Sequence, residues 1–348
     1  MKYKDLYQNL RSKIENGDYP AGSLLPTEKD ISAWGYSRNT VRQALALLEE
    51  EGLITKRRGS GSRVNELPKK RDLNGCIALI CPSSMDYLIP DMISGITEVF
   101  RGWANLMLCA TNGQIEKEEE VLLDLMKRSI DGILVQGTMN GIRNPNVKYY
   151  EQFVERGIPV IFLGEAYVNM RRPLEVSDDN YRAGREAVNI LYERGCRSLA
   201  GVFAADMLPC QYRYEGFVDA CREQGIPCLS QNIAWLTGYE VSWGRNIDSK
   251  MIRRILSGCD GVVCCSDEYA KAVIEILREE GRRVPEDVAV IGFDNDVSLS
   301  GGPVEISSFD GNFAEVGRLA ASSMKNLLSG KSVKNMKVPM IYVKRESC

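Results

Sequence analysis

The sequence predicts an α/β protein, with a small helical head followed by a two-lobed body of parallel sheets. Three observations lead there. Some sixty N-terminal residues carry three amphipathic stretches and a basic hairpin. From residue 76 onward, short apolar runs alternate with amphipathic helical stretches, the pattern of buried parallel strands joined by helices. The charge divides at the same place: residues 1–71 hold 14 Lys/Arg against 9 Asp/Glu, and the remainder holds 30 against 38. A basic head on an acidic body suits a polyanionic partner for the head alone.

In the head, Leu6, Leu10 and Ile14 make a one-sided stripe on a first helix, which the segment 17–22 breaks. Pro26-Thr27-Glu28 opens a short second helix, with Thr27 as its cap and Asp30 in the reciprocal position. Ser37 caps a third, whose Val41, Ala44, Leu45 and Leu48 face inward. The other side of its first turns carries Arg38, Asn39, Thr40 and Arg42. Such short polar groups and guanidinium forks at a helix N-terminus can reach base edges and phosphates in a major groove. Gly52 ends this helix, and 53–57 and 62–64 read as strands around the turn Arg58-Gly59-Ser60-Gly61. A lone helix of this kind is equally an ordinary surface helix with solvated basic residues. Three helices and a basic wing in so short a stretch form a winged helix-turn-helix.

A polar segment broken by Pro68 follows and reads as a linker, 67–75. Its Lys69, Lys70 and Arg71 either graze phosphate or are simply solvated. In the body, strands are expected at 76–81, 106–110, 132–136, 159–163, 199–204, 261–265 and 288–293. Helices are expected at 91–100, 116–128, 180–194, 213–224 and 267–280. A body of about 270 residues is long for one sheet, so two lobes with a cleft between them are the natural solution.

Composition excludes several functions. Apolar content is 44%, enough for a sizeable core, and no apolar run approaches membrane-spanning length. Charged residues rather than an apolar stretch follow Met1, so no signal peptide and a cytoplasmic location are expected. The 11 Cys are odd in number and lack any C-x-x-C spacing; those at 76, 81, 109 and 264 sit in or beside apolar runs, where a thiol acts as a small hydrophobe. There is no His, which excludes any imidazole base or triad and argues against a zinc site. Neither a phosphate-binding P-loop nor G-x-G-x-x-G is present. No cofactor, metal or enzymatic activity is expected.

The head resembles the GntR family of bacterial transcription regulators. The matching residues are Leu25-Pro26-Thr27-Glu28-Lys29, Ser37-Arg38-Asn39-Thr40-Val41-Arg42-Gln43-Ala44-Leu45, Glu51-Gly52-Leu53-Ile54 and Arg58-Gly59-Ser60-Gly61. The resemblance implies that Lys29, Ser37, Arg38, Asn39, Thr40 and Arg42 face DNA and that Arg58, Gly59, Ser60 and Gly61 form the wing. The run from Ile31 to Tyr36 is one residue shorter than the family spacing, which implies a tighter turn before the third helix.

The body resembles the LacI-type effector domain, which has the periplasmic-binding-protein fold. The residues that carry this are Ser177-Asp178-Asp179-Asn180-Tyr181-Arg182-Ala183-Gly184, Arg213-Tyr214-Glu215-Gly216-Phe217, Ser266-Asp267 and the run from Val284 to Asn295. A GntR head on a LacI-type body is similar to the arabinose-repressor type. The resemblance implies domains at 1–66 and 76–348, with lobe 1 at about 76–174 and 309–332 and lobe 2 at about 175–308 and 333–348. It places the lobe crossings near 172–176, 306–310 and 331–338. It also implies a homodimer on double-stranded operator DNA, reading a palindrome, and a sugar-like effector in the cleft. The Pro68-bearing linker departs from LacI proteins in having no hinge helix to wedge into the minor groove.

A sugar calls for carboxylates and amides beside a guanidinium, with an aromatic over the ring face. Carried over by position, Asp294 accepts two hydroxyl protons and Arg213, starting its helix, forks to neighbouring oxygens. Gln136, Ser266 and Asp267 end strands at the cleft, although Asp267 is equally a helix cap. Tyr87 and Ile89 form the cleft wall, and Trp235 is a stacking plate. Two departures stand out. Gly164-Glu165 replaces the usual Asp after the strand 159–163, and Gly311, beside Asp310, stands where some relatives have Gln. A different polar set implies a different ligand stereochemistry. Two other readings, a binding or signalling module without DNA action and a sugar kinase, are opposed by the Arg-rich head and by the missing phosphate loop.

Overall fold

A computed structural model describes residues 2–57, 61–65, 73–83, 87–237 and 249–348. They divide into two units, Met1–Asp72 with Lys325–Val333, and Leu73–Met324 with Lys334–Cys348.

The head follows its sequence pattern closely. Helices α1 (Lys2–Glu15), α2 (Glu28–Ser32) and α3 (Arg38–Glu50) precede strands β1 (Ile54–Arg57) and β2 (Gly61–Val64). Thr27 and Asp30 form a reciprocal capping box, and Ser37 accepts from Thr40 N at 3.2 Å. Each satisfies a helix-end N–H that has no partner within the helix. β1 and β2 pair antiparallel, Ile54 opposite Val64, and Leu24 bridges to Arg63 on the far side of β2. Leu6, Leu10, Ile14, Leu25, Ile31, Val41, Ala44, Leu45, Leu48, Ile54 and Val64 close into one core. Gly35, at φ +92°, makes the turn between α2 and α3. Arg58, Gly59 and Ser60 lie outside the described residues.

The body has two six-stranded sheets. In the first, β4 (Asn105–Ala110), β3 (Cys76–Cys81), β5 (Gly132–Val135), β6 (Val160–Leu163), β7 (Leu174–Asp178) and β13 (Met336–Val338) lie side by side in that order, all parallel. Helices α4 (Ile89–Phe100), α5 (Ile115–Leu125) and α6 (Val147–Glu155) connect its strands. The second sheet runs β9 (Ile233–Leu236), β8 (Leu199–Ala204), β10 (Gly261–Cys264), β11 (Ala289–Phe293), β12 (Ser307–Asp310), β14 (Ile341–Val343), with only β14 antiparallel. It carries α7 (Asn180–Arg194), α8 (Leu208–Glu223), α9 (Ser249–Leu256) and α10 (Asp267–Glu279). The last helix, α11 (Phe313–Leu328), packs its Gly317 against the Met92 backbone of α4.

Three corrections to the expected layout have one cause. The chain changes sheets after β7, after β12 and between β13 and β14, a few residues later than expected at each crossing. Residues 175–178 and 336–338 therefore belong with the first sheet, and 309–310 with the second. These strands are three to five residues of mixed polarity, LEVSD, SSFD and MKV, and their pattern is that of linkers rather than of buried apolar strands. Helix α8 likewise begins at Leu208, so Arg213 lies in its second turn and does not start it. Helices α6, α9 and α11 were not anticipated. The first two are short, and α11 interleaves Ala, Ser and Gly with its larger apolar residues.

Helices α7 and α8 touch backbone to backbone. A Cβ on Gly216 would lie 2.1 Å from Tyr181 O, and one on Gly184 would lie 2.1 Å from Arg213 O. Gly216→Ala is therefore expected to force the helices apart and cost about 1–3 kcal/mol, read as a lowered urea midpoint.

Candidate functional site

The described candidates of the head lie at the start of α3, on α2 and at the start of β2. Ser37, Arg38, Asn39 and Arg42 are exposed at the start of α3, and Lys29 is exposed on α2. Arg38 and Arg42 are one turn apart and so share a face, while Val41, Ala44, Leu45 and Leu48 are buried on the other. Thr40 is half-buried, its hydroxyl 2.8 Å from that of Ser37. Arg42 Nε donates to Glu28 at 3.0 Å. Both groups are solvated, so this pair contributes little and leaves the guanidinium available. Gly61 opens β2 at φ +82°.

In the body, the carboxyl ends of the strands bring several candidates together. Arg213 Nη2 meets Asp294 Oδ1 at 3.0 Å, with side-chain exposures of only 4% and 10%. The rest of the guanidinium is used as well. Nε donates to Asn180 Oδ1 at 2.7 Å, Nη1 donates to Cys265 O, and the group lies over the Phe293 ring. Asp294 and Asn295 have φ of +90° and +53°. Such conformations in non-glycine residues cost about 1–3 kcal/mol and cluster at functional sites. The second Asp294 oxygen accepts from Tyr87 Oη at 2.8 Å. Tyr87 follows the first sheet's β3 and Asp294 the second sheet's β11, so this bond spans the seam between the lobes.

Other bonds span the same seam. Asn180 at the start of α7 donates to Glu165 Oε1, beyond β6, at 3.2 Å. Lys337 Nζ, on β13 of the first sheet, reaches that same oxygen from within its own lobe at 3.2 Å. Asn140 Oδ1 accepts from Leu208 N at 2.8 Å, and Gly141 N donates to Asp206 O at 3.0 Å.

The remaining candidates divide. Gln136 follows β5 and its buried Oε1 has no partner among the described residues. Ser266 is the cap of α10, accepting from Tyr269 N. Asp267 does not cap; its carboxyl accepts from Asp296 N and Ser308 Oγ, both at 2.9 Å, and so braces the turn that carries Asp294. Burial pushes the Asp267 carboxyl up to about 7. Ile89 is wholly buried at the start of α4 and offers no surface as a cleft wall. Trp235 is not gathered with Arg213 and Asp294. Its ring packs 4.7 Å from Tyr214 and 5.9 Å from Phe203, beside a recess of about 340 Å³ lined by Ala205, Gln211, Tyr214, Glu215 and Trp235.

The sequence reading missed Glu165, Asn180, Asn140, Asp178 and Lys337 as site residues. Asn180 and Asp178 lie inside the motif that carried the body's resemblance, and Glu165 marked one of its departures. It also missed Glu118, buried in α5. Tyr150 Oη at 2.6 Å, Tyr167 Oη, Asn144 Nδ2 at 2.7 Å and Asn146 Nδ2 at 2.9 Å all donate to its carboxyl. Glu118 had no signal, because it sits among Glu116, Glu119 and Glu120 in what reads as a solvated acidic face.

Known proteins place both parts of the chain. Residues 2–64 match the family "Bacterial regulatory proteins, gntR family", and residues 188–348 match "Periplasmic binding protein-like domain". The arabinose metabolism transcriptional repressor of Geobacillus stearothermophilus is 29% identical over 95% of this chain and 92% of its own. Its namesake in Halalkalibacterium halodurans is 28% identical over 92% and 87%. A solved structure titled transcriptional regulator CelR-cellobiose complex superposes with a TM-score of 0.69 at 20% identity, covering 90% of this chain and 92% of that one, which supports the fold. The chain thus joins a GntR-family helix-turn-helix domain to a periplasmic-binding-protein-like domain.

Proposed function

We propose that this chain is a homodimeric, cytoplasmic transcriptional repressor of carbohydrate-utilisation genes, with an operator affinity set by a small sugar-like effector in the interlobe seam. The observation that carries the reading is the union of two surfaces in one chain. Arg38, Asn39 and Arg42 stand outward on a capped helix, and Arg213 and Asp294 meet at strand ends where ligands of such sheets bind. The names of the two arabinose-repressor relatives support it, and no described helix is long and apolar enough to cross a membrane. Lys29, Ser37, Arg38, Asn39, Thr40, Arg42 and the wing contact DNA in this reading. Effector binding closes the lobes and loosens the heads, and by linkage DNA weakens effector binding by the same factor.

A gel shift on the DNA upstream of the gene tests it. Arg38→Ala and Arg42→Ala should each weaken binding by about 1–3 kcal/mol if they read bases, or lower the salt slope by about one if they hold phosphates. Wild-type affinity in the double variant would refute the head's role. Equal operator affinity with and without a saturating effector would refute the coupling.

A further inference from the structure

The floor of the interlobe seam is short of positive charge. Burial first, then Glu165, raises the carboxyls of both Glu175 and Asp178, and Asp294 adds to Asp178; Lys337 opposes this at both and Arg213 at Asp178. Arg213 is committed to Asp294 and Asn180. Lys337 is half-exposed, meets Oε1 of Glu165 at 3.2 Å and lies over the Tyr212 ring. The other oxygen of that carboxyl, Oε2, is buried and has no partner among the described residues, although Glu165 as a whole is only 3% exposed. It belongs to the same carboxyl group that reaches Asn180 across the seam, so it too lies between the lobes. A buried acceptor left unpaired carries its full desolvation penalty, and a negatively charged one carries more.

Asp178 adds to the deficit. It ends β7 where the chain crosses between lobes, and it is 8% exposed. Burial first, then Glu165, raises its carboxyl well above the ordinary range, while Arg213 opposes this and Asp294 adds to it. Gly311 shapes the surroundings. A Cβ there would meet the Phe313 ring at 2.6 Å and Asp178 Oδ2 at 3.2 Å. The missing side chain lets an apolar ring lie beside Asp178, and an apolar wall strengthens whatever charge interaction occurs beside it. Gln136 Oε1 is a further buried acceptor without a donor. The unmet oxygens of Glu165 and Gln136 are acceptors, and the carboxylates named here outnumber the cations.

We propose that Glu165 and Asp178 form a subsite for a protonated amine of the effector, so that the chain responds to an amine-bearing polyol in preference to a neutral or phosphorylated sugar. This rests on the reading that the seam binds the effector. An ammonium donates up to three hydrogen bonds and accepts none, which matches Glu165 Oε2 and the Asp178 carboxyl. A phosphate brings acceptors and negative charge to a place that has too much of both. The cation also favours the ionised form of Asp178, so binding releases a proton, and affinity rises with pH through the range where free Asp178 ionises. The groups around Asp178 that set this range are Glu165, Arg213, Asp294 and Lys337.

Titration calorimetry on the full chain tests the subsite, with D-glucosamine and D-galactosamine as probes against D-glucose, D-galactose, L-arabinose and D-glucose 6-phosphate. An amino sugar is expected to bind at least about tenfold tighter than its neutral parent and to release a proton, seen as a heat that changes with the buffer's ionisation enthalpy. Glu165→Gln and Asp178→Asn should each bring the ratio close to one, with folding checked by circular dichroism so that one variant's loss does not remove the test. A neutral sugar binding as tightly as its amine overturns the subsite and leaves the effector reading standing. The phosphate binding tightest, or an amine preference that survives both variants, overturns it as well. No binding by any probe overturns the subsite and the sugar-effector reading together.

Discussion

Arg213→Ala is expected to lower the stability of the body by about 3–5 kcal/mol and to abolish effector binding at the same time. The guanidinium is not a surface group that water can replace. It is 4% exposed, and its removal leaves the Asp294 carboxylate buried beside a strained turn, with Asn180 Oδ1 and Cys265 O deprived of their donors. Removing one member of a buried pair costs far more than the pair contributes, because the other charge is left uncompensated. Asp294→Asn should be costly for the mirror-image reason. The double variant Arg213→Ala, Asp294→Asn removes both charges and should be less destabilised than the sum of the singles, with a coupling of about 0.5–3 kcal/mol. Urea unfolding of the four proteins measures this cycle. A loss below 1 kcal/mol in Arg213→Ala, or strict additivity, would show that the pair is solvated and that the seam is not closed around it.

That network also shows what a sequence can and cannot announce. The head was legible because each of its signals is local. Thr27 with Asp30 and Ser37 with Thr40 act within one helical turn, and the inward stripe of α3 needs only a period of 3.6. Arg213 and Asp294 were legible for a different reason: their motifs resemble a known domain, and their 81-residue separation gives no local hint that they touch. The residues that were missed act over long separations. Glu165 and Lys337 are 172 residues apart, and Asn140 and Leu208 are 68 apart. Trp235 had the right chemistry for a stacking plate, but it lies on β9 at the edge of its sheet and turns to Tyr214. Strands β7, β12 and β13 escaped because they are short and polar at the crossings, where an apolar run would have been unmistakable.

Glu118→Ala is expected to be the other severe substitution, at about 4 kcal/mol or more, although the residue is outside the cleft. Four donors converge on its carboxyl, and Tyr150 and Tyr167 are both buried and held as phenols above their usual range by burial above all. Alanine takes this acceptor from all four, leaving Asn146 Nδ2 with only its bond to Ile115 O at 2.9 Å, and each buried orphan costs about 1–3 kcal/mol before relaxation. Losses of this size are exceptional for a point change and need a named cause such as this. Glu118→Gln separates the polar network from simple packing. It keeps the volume but turns an amide N–H₂ toward donors, so it should still cost about 2 kcal/mol. The consequence reaches the seam, because Tyr167 Oη also accepts from Thr138 N, and Asn144 and Asn146 anchor the loop that carries Asn140 to Leu208 N. Hydrogen exchange should therefore rise across residues 137–146 in Glu118→Gln, ahead of the strands of the first sheet. If that loop keeps its protection, or if Glu118→Gln unfolds within 0.5 kcal/mol of the parent, the convergence of four donors on one carboxyl does not hold the loop.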